Sequence, residues 1–172
     1  MRIIVNDTSC LIDLRKAGLL EATLLLPFTF QIALPLLHSE LLDFSQAEFE
    51  DLKARGLVVV DLPPERVQRA LAFRSHYPGL SLNDCLSMSL AEGYDDAILL
   101  TGDQHLRMRA QQIGMEVHGV LWVSDQLEES GHVAYAALLD ALLRLQDDPV
   151  VFLPEGELRE RIKRLRRKLG QS

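Results

Sequence analysis

The sequence of 172 residues has only two cysteines, Cys10 and Cys85, and neither belongs to a CxxC motif or to a Cys–His spacing typical of zinc ligands. A disulfide scaffold and a zinc site are therefore not predicted. We expect both thiols to be reduced and to pack as small apolar side chains. A catalytic thiol is the alternative interpretation, since Cys10 follows Ser9 and Cys85 follows Asp84.

The sequence also lacks long apolar runs. None approaches the roughly 18 residues that a membrane-spanning helix needs, and the opening run at residues 3–5 is too short for the core of a signal peptide. Seven prolines and ten glycines are too few for a disordered chain, and 48% of the residues are hydrophobic. We therefore expect one folded cytoplasmic domain with appendages and no membrane partner.

Basic residues are in the minority, with 18 Lys and Arg against 25 Asp and Glu and a net charge of −7. This balance argues against a protein that binds nucleic acid over its whole surface. Residues 158–168 alone contain seven basic residues and one acidic residue, so the body of the chain is strongly acidic. An acidic body fits carboxylates gathered around a metal ion, although most of its Asp and Glu are solvated surface residues.

Short apolar segments alternate with longer segments of helical period, which predicts an α/β fold with a central, mainly parallel sheet of four or five strands flanked by helices. Residues 58–60 and 98–100 lack alternation, so we expect both strands to be covered on both faces. The predicted strands span residues 2–6, 29–33, 57–61, 97–101 and 116–118. The predicted helices span residues 9–17, 19–26, 35–44, 46–55, 64–76, 82–92, 103–113, 120–129 and 132–145.

Four glycines, Gly18, Gly56, Gly93 and Gly114, stand where helices are expected to end in a left-handed cap. We expect a single domain at residues 1–146, followed at residues 147–172 by a linker and a basic amphipathic C-terminal helix. That helix presents one apolar stripe, formed by Leu158, Ile162, Leu165 and Leu169. The stripe is expected to pack on the body or on a second copy, and the basic face offers contact to nucleic acid.

Four acidic residues lie where a parallel sheet could bring them into one cleft. Asp7 and Asp103 close the strands in RIIVNDTS and AILLTGD, at the sheet edge where ligands collect. Asp84 opens the predicted helix at 82–92, and Glu40 lies in the predicted helix at 35–44. Mg²⁺ and Mn²⁺ prefer oxygen ligands, so carboxylates without His or Cys partners predict a site for a hard metal ion.

A structural role is the alternative for three of these acids, because a carboxylate at a helix start stabilises the helix by roughly 0.5–2 kcal/mol. Joint placement favours the metal site, since clustered carboxylates repel one another and a cation removes the conflict. Ser9 and Thr101 are expected to support the acids, with Asn6 and Asn83 as further candidates for that role. Alternative or additional acids are Asp43, Asp95 and Asp96.

Four segments carry a family resemblance: in chain order they are IIVNDTSCLIDL, the segment around Glu40, LSLNDCLSMSLAE and AILLTGDQHLRMRAQQIGMEVHG. Over residues 1 to about 120 they resemble the PIN-domain family of metal-dependent ribonucleases. The resemblance implies a three-layer fold in which one or two Mg²⁺ or Mn²⁺ ions are bound by Asp7, Glu40, Asp84 and Asp103. Ser9 and Thr101 would assist. The implied reaction is cleavage of single-stranded RNA by water, leaving 5′-phosphate and 3′-hydroxyl ends.

Many compact members of the family resemble this chain in size and act as VapC-like toxins of type II toxin–antitoxin pairs, each blocked by a small antitoxin protein. The resemblance therefore implies a toxin with an antitoxin partner. The extension beyond residue 120 is expected to serve dimerisation, RNA binding or antitoxin contact, and we expect a homodimer. The alternatives are a PIN-like module that binds RNA or protein without cutting, and a phosphatase with an aspartyl nucleophile. The phosphatase is disfavoured because position 9 is Ser and residues 82–92 contain no Lys.

Overall fold

The fold is given by a computed structural model that describes residues 1–171. Within these residues five strands form one sheet in the order β3-β2-β1-β4-β5, and every neighbouring pair is parallel. The strands are β1 (Arg2–Asn6), β2 (Phe28–Ala33), β3 (Val58–Val60), β4 (Ala97–Leu100) and β5 (Glu116–His118). Together with the flanking helices they confirm the predicted three-layer α/β fold.

Within the same residues there are ten helices, of which seven lie between strands and three follow β5. They are α1 (Thr8–Lys16), α2 (Leu20–Thr23), α3 (Leu34–Ser39), α4 (Gln46–Ala54), α5 (Pro64–His76), α6 (Leu82–Glu92), α7 (Gln104–Gln112), α8 (Val120–Ser130), α9 (Tyr135–Asp147) and α10 (Glu155–Lys168). The helix predicted at 19–26 is reduced to the four residues of α2, and the one predicted at 35–44 ends at Ser39. Across residues 1–171, no helix combines the length and the apolar character that crossing a membrane requires.

The core is built around the two central strands. Ile4 in β1 lies opposite Ile98 in β4, and both side chains are fully buried. The prediction that residues 98–100 are covered on both faces is therefore confirmed. The same prediction for residues 58–60 was wrong: β3 pairs only with β2 at the sheet edge, and Val58 is 41% exposed.

Three of the four predicted glycine caps are left-handed, with φ of 70° at Gly18, 112° at Gly56 and 85° at Gly114. These conformations are easy only for glycine. Gly93 differs, because its φ is −67° and its N–H still donates to the carbonyl of Ser89. Helix α6 therefore ends in a right-handed turn.

Helix α10 packs against the body of its own chain. The stripe residues Leu158, Ile162 and Leu165 are buried, with exposures of 4%, 4% and 1%. Of the two partners expected for this stripe, the structure shows the body, so these side chains are not left for a second copy. The division of the chain into residues 1–146 and 147–172 stays a prediction.

Ion pairs also join α10 to α8. Arg161 binds both carboxylate oxygens of Asp125 at 2.9 and 2.6 Å, and Arg164 approaches Glu128 at 2.6 Å. Lys168 pairs with Glu128 as well. Part of the basic tail thus neutralises acids of the body, which reduces the cationic surface that the sequence alone suggests for nucleic acid.

Candidate active site at the carboxyl edge of the sheet

Asp7 lies where β1 and β4 end. Its N–H donates to the carbonyl of Leu100 at 2.9 Å, which holds the two strand ends together. Asp7 is the first flanking residue of α1, but its side chain makes no capping hydrogen bond. Its Oδ2 instead accepts hydrogen bonds from the hydroxyls of Ser9 at 2.9 Å and Thr101 at 2.8 Å. Helix capping therefore does not explain this carboxylate.

The two hydroxyls connect Asp7 to the loop after β4. The Ser9 hydroxyl accepts the Gly102 N–H at 2.9 Å, and the Thr101 hydroxyl accepts the Asp103 N–H at 3.1 Å. Since a backbone donor occupies the acceptor side of each hydroxyl, its proton is directed at Asp7. Ser9 and Thr101 thus orient the Asp7 carboxylate, which is the kind of supporting contact that the sequence led us to expect of them.

The environment of Asp7 opposes its ionisation. The residue is 4% exposed, and burial raises the pKa of its carboxyl from 3.8 to about 6, although the hydrogen bonds from Thr101 and Ser9 act in the opposite direction. Negative charge at Asp84 and Glu40 raises this pKa further. Asp7 therefore shares one electrostatic neighbourhood with two of the other predicted acids.

Glu40 reaches this neighbourhood from the end of α3, so its placement inside a helix at 35–44 was wrong. At Glu40 φ is −127°, outside the helical range, and residues 41–44 form a turn in which the Phe44 N–H donates to the Leu41 carbonyl. The Glu40 carboxylate accepts hydrogen bonds from the Thr8 hydroxyl and, at 2.7 Å, from the Asn83 amide. It links the residue after Asp7 to the residue before Asp84.

Asp84 and Asp103 both stabilise helix starts. Asp84 accepts the Ser81 N–H at 2.8 Å while the Ser81 hydroxyl accepts the Asp84 N–H at 3.0 Å, a complete capping box. Asp103 is exposed and caps α7 by accepting the Leu106 N–H at 2.8 Å. Burial raises the pKa of Asp84, the hydrogen bonds with Ser81 oppose this rise, and negative charge at Asp103 and Glu40 adds to it. The structural role considered for these two acids is present.

The four carboxylates are neighbours, but their oxygen atoms do not converge. Among residues 1–171 no three His, Cys, Asp or Glu side chains are arranged to hold a metal ion. Each capping bond uses one carboxylate oxygen, Oδ2 of Asp84 and Oδ1 of Asp103, and leaves the other oxygen outside the cap.

The chemistry of the donor set nevertheless fits a hard divalent cation, because it consists of carboxylates and hydroxyls alone. None of the salt bridges within residues 1–171 involves any of the four acids. A bound cation would offset the repulsion that burial intensifies at Asp7.

The sequence matches the family model DUF3368, described as a PIN domain, over residues 3–167. The chain belongs to the PIN-domain family. This membership confirms the family that the sequence resembles, while the VapC-like type stays a prediction. PIN domains are generally nucleases, and the chain has this nuclease-like fold. A comparison with curated proteins found no match.

Of the alternative acids, Asp95 and Asp96 lie away from the site of this PIN domain. Asp43 is exposed, and its backbone carbonyl accepts a hydrogen bond from Arg15. Asp95 and Asp96 precede β4, at the opposite end of that strand from Thr101, and Asp96 forms a salt bridge with Arg2 at 2.8 Å. Asp43 and Glu40 both line a pocket beside α1, so Asp43 stays an alternative to Glu40.

Two residues near the site were missed in the sequence. Thr8 donates its hydroxyl to Glu40, and Arg107 donates from Nη2 to the Thr101 carbonyl at 3.1 Å. Thr8 directly follows Asp7, and Arg107 lies one helical turn after Asp103, so their spacing from predicted acids was the available signal.

The cysteines of the PIN domain are buried and unpaired, as expected. Burial raises the pKa of the Cys10 thiol far above its usual value, and the charge of Asp7 adds to this rise. Burial likewise raises the pKa of Cys85 to about 11. Because the thiolate is the nucleophile, these shifts disfavour the catalytic thiol that the sequence left open.

Proposed function

We propose that this PIN domain is a metal-dependent endoribonuclease that hydrolyses phosphodiester bonds of single-stranded RNA. The observation behind the proposal is the buried Asp7 carboxylate, which two hydroxyls orient and which neighbours Glu40 and Asp84 without a salt bridge to any Lys or Arg among residues 1–171. A strongly perturbed carboxyl at the ligand-binding edge of a parallel sheet is typical of a functional site.

In this proposal Asp7, Glu40, Asp84 and Asp103 hold Mg²⁺ or Mn²⁺. A bound divalent cation supplies Lewis-acid polarisation of the phosphodiester and eases deprotonation of the attacking water. Ser9 and Thr101 keep the Asp7 carboxylate aimed at the cleft. Asp7 ionises around pH 6 in the absence of a cation, so ion binding is expected to release protons below that pH.

Cleavage of a mixed pool of single-stranded RNA by the purified chain tests the proposal. We expect cleavage with Mg²⁺ or Mn²⁺, loss with EDTA, and loss in Asp7→Asn. The matched control is Asp95→Asn, which removes the same charge at an exposed position at the other end of β4. Absence of cleavage with every metal would count against the nuclease.

The second candidate is a PIN-like regulatory module that binds RNA or a protein without cutting. It is favoured by the capping roles of Asp84 and Asp103 and by the absence of a converging acid cluster within residues 1–171. Calorimetric titration with Mn²⁺ separates the candidates. Binding by the native chain that is lost in Asp7→Asn with Asp103→Asn supports the enzyme, and no acid-dependent binding supports the module.

We further propose that the chain is the toxin of a type II toxin–antitoxin pair, in which an antitoxin protein covers the cleft. Growth arrest on expression that requires Asp7 would support this role, and normal growth with active enzyme would contradict it.

We also propose a homodimer, supported by Val67 and Leu71, which lie one turn apart on α5 and are 37% and 49% exposed. A monomer in sedimentation at micromolar concentration would refute the dimer.

A further inference from the structure

A cleft of about 350 Å³ lies beside the acids, where the ends of β4 and β5, the start of α8 and the segment before α10 meet. Gly102 forms part of its wall, and the Gly102 N–H donates to the hydroxyl of Ser9. The cleft therefore begins at the loop that holds Asp7 and Asp103. Its volume is at the lower end of the range for sites that bury one small ligand.

Arg107 lies in the wall of this cleft, which also contains Arg161 and the acids Asp125 and Glu157. Its Nη2 donates to the Thr101 carbonyl at 3.1 Å and its Nη1 to the Val117 carbonyl at 3.5 Å, while its buried Nε has no partner. Among residues 1–171 no carboxylate forms a salt bridge with Arg107, whereas the other arginine of the wall, Arg161, is held by Asp125. A guanidinium without a carboxylate partner, beside the acids of a nuclease, favours an anionic group of the substrate.

Aromatic side chains form another part of the wall. Phe152 is 83% exposed, which is unusual for a phenyl ring in a folded chain. Trp122 also lines the cleft and stacks on His118, with ring centroids 4.5 Å apart and planes 9° apart. An open aromatic ring near an uncompensated arginine is the combination that binds an unpaired base and its phosphate.

We propose that this cleft binds one unpaired nucleotide of the RNA strand next to the bond that is cut. Phe152 stacks on the base and the Arg107 guanidinium faces the phosphate. The inference rests on the proposed function, because the ligand is a part of the nuclease substrate. It adds a binding subsite that none of the four acids supplies, and it gives the segment before α10 a role in substrate recognition.

The test measures binding without cleavage, in the full chain carrying Asp7→Asn and with EDTA. Trp122 is the only tryptophan of the chain, so its fluorescence reports directly on occupancy of the cleft. A short single-stranded RNA is expected to change this fluorescence saturably, and Phe152→Ala is expected to weaken Kd roughly tenfold, as loss of one stacked base does. Phe152→Tyr should retain affinity. The control, Leu25→Ala, removes another exposed apolar side chain that does not line the cleft.

Single abasic substitutions along the RNA sharpen this test. At one position of the RNA, removal of the base should weaken binding to the chain that has Phe152. The same removal should not weaken binding to Phe152→Ala, because that variant already lacks the stacking ring. Arg107→Gln should lower the slope of log Kd against log salt by about 0.7, the value for one phosphate contact on a single strand.

The outcomes separate the subsite from the nuclease. Suppose that the chain with Asp7 intact cleaves RNA with Mg²⁺ or Mn²⁺. If Phe152→Ala then changes neither the KM of this cleavage nor the Kd for RNA, the subsite is refuted and the nuclease stands. If a protein partner needs Phe152 and RNA does not, the subsite is refuted as well. If RNA is neither bound nor cleaved, both proposals fail together.

Discussion

Asp7→Asn is expected to stabilise the metal-free protein at neutral pH while it abolishes the proposed RNA cleavage. Burial raises the pKa of Asp7 from 3.8 to about 6, and each pKa unit corresponds to about 1.36 kcal/mol. The ionised side chain therefore lowers the free energy of unfolding by about 3 kcal/mol. Asparagine has no charge to bury, and its carbonyl oxygen can accept the hydrogen bonds that Ser9 and Thr101 now donate to Asp7.

The pH dependence follows from the direction of the shift. Because the pKa of Asp7 is higher in the folded chain, the folded state binds more protons between pH 3.8 and about 6. The contribution of Asp7 to stability is fully present below pH 3.8 and is lost as the pH rises to about 6. Native protein and Asp7→Asn should therefore be similar at low pH and differ most above about pH 6.

Urea denaturation with EDTA, from about pH 4 to about pH 8, measures this difference. Thermal unfolding is a second measurement: for a chain of this size, a gain of about 3 kcal/mol raises Tm by roughly 6–12 °C. The control Asp95→Asn should show no comparable pH-dependent gain, since Asp95 is exposed. The reasoning is refuted if Asp7→Asn is less stable than native protein at about pH 8, or if the difference is the same at every pH.

Three further changes test the surroundings of the site and the C-terminal helix. Thr101→Val removes a buried hydroxyl that donates to Asp7 and should cost about 1–3 kcal/mol in urea denaturation; unchanged stability would contradict it. Leu165→Ala empties a position that is 1% exposed, and we expect a loss of about 2–5 kcal/mol, measured by thermal unfolding. Glu128→Gln weakens the ion pairs with α10 and should cost about 1 kcal/mol, less at high salt; a loss independent of salt would indicate packing instead.

The sheet could be predicted from the sequence because its central strands are short apolar runs bounded by turn signals. Continuous burial of residues 98–100 follows from their lack of alternation. The same pattern at residues 58–60 led to a wrong prediction of burial on both faces, since an edge strand of three valines has the same sequence pattern as a central strand. Strand order is what distinguishes them, and it depends on contacts between distant segments.

Glu40 shows a second limit of sequence reasoning. The segment LLHSELLDF suits a helix by propensity, but α3 ends at Ser39 and the next residues turn. The hydrogen bonds that Glu40 receives from Thr8 and Asn83 come from elements far away along the chain. Local propensity cannot represent such contacts, so the backbone conformation at Glu40 was predicted wrongly.

Side-chain direction was the least predictable property of the candidate site. The positions of Asp7, Asp84 and Asp103 follow from strand ends and helix starts, whereas the direction of each carboxylate depends on its rotamer and on hydrogen bonds that form only in the folded chain. In the structure Asp84 and Asp103 take the capping bonds.

Asp7 differs from these two acids in a way that matters for function. Its carboxylate satisfies no helix N–H, it is almost fully buried, and its burial weakens the metal-free fold. A structural explanation would need a stabilising contact for the charge, but the Ser9 and Thr101 hydroxyls only reduce the rise in pKa and do not cancel it. A cation bound as in the proposed function would supply that contact, and it would turn the burial of Asp7 from a loss of stability into binding affinity.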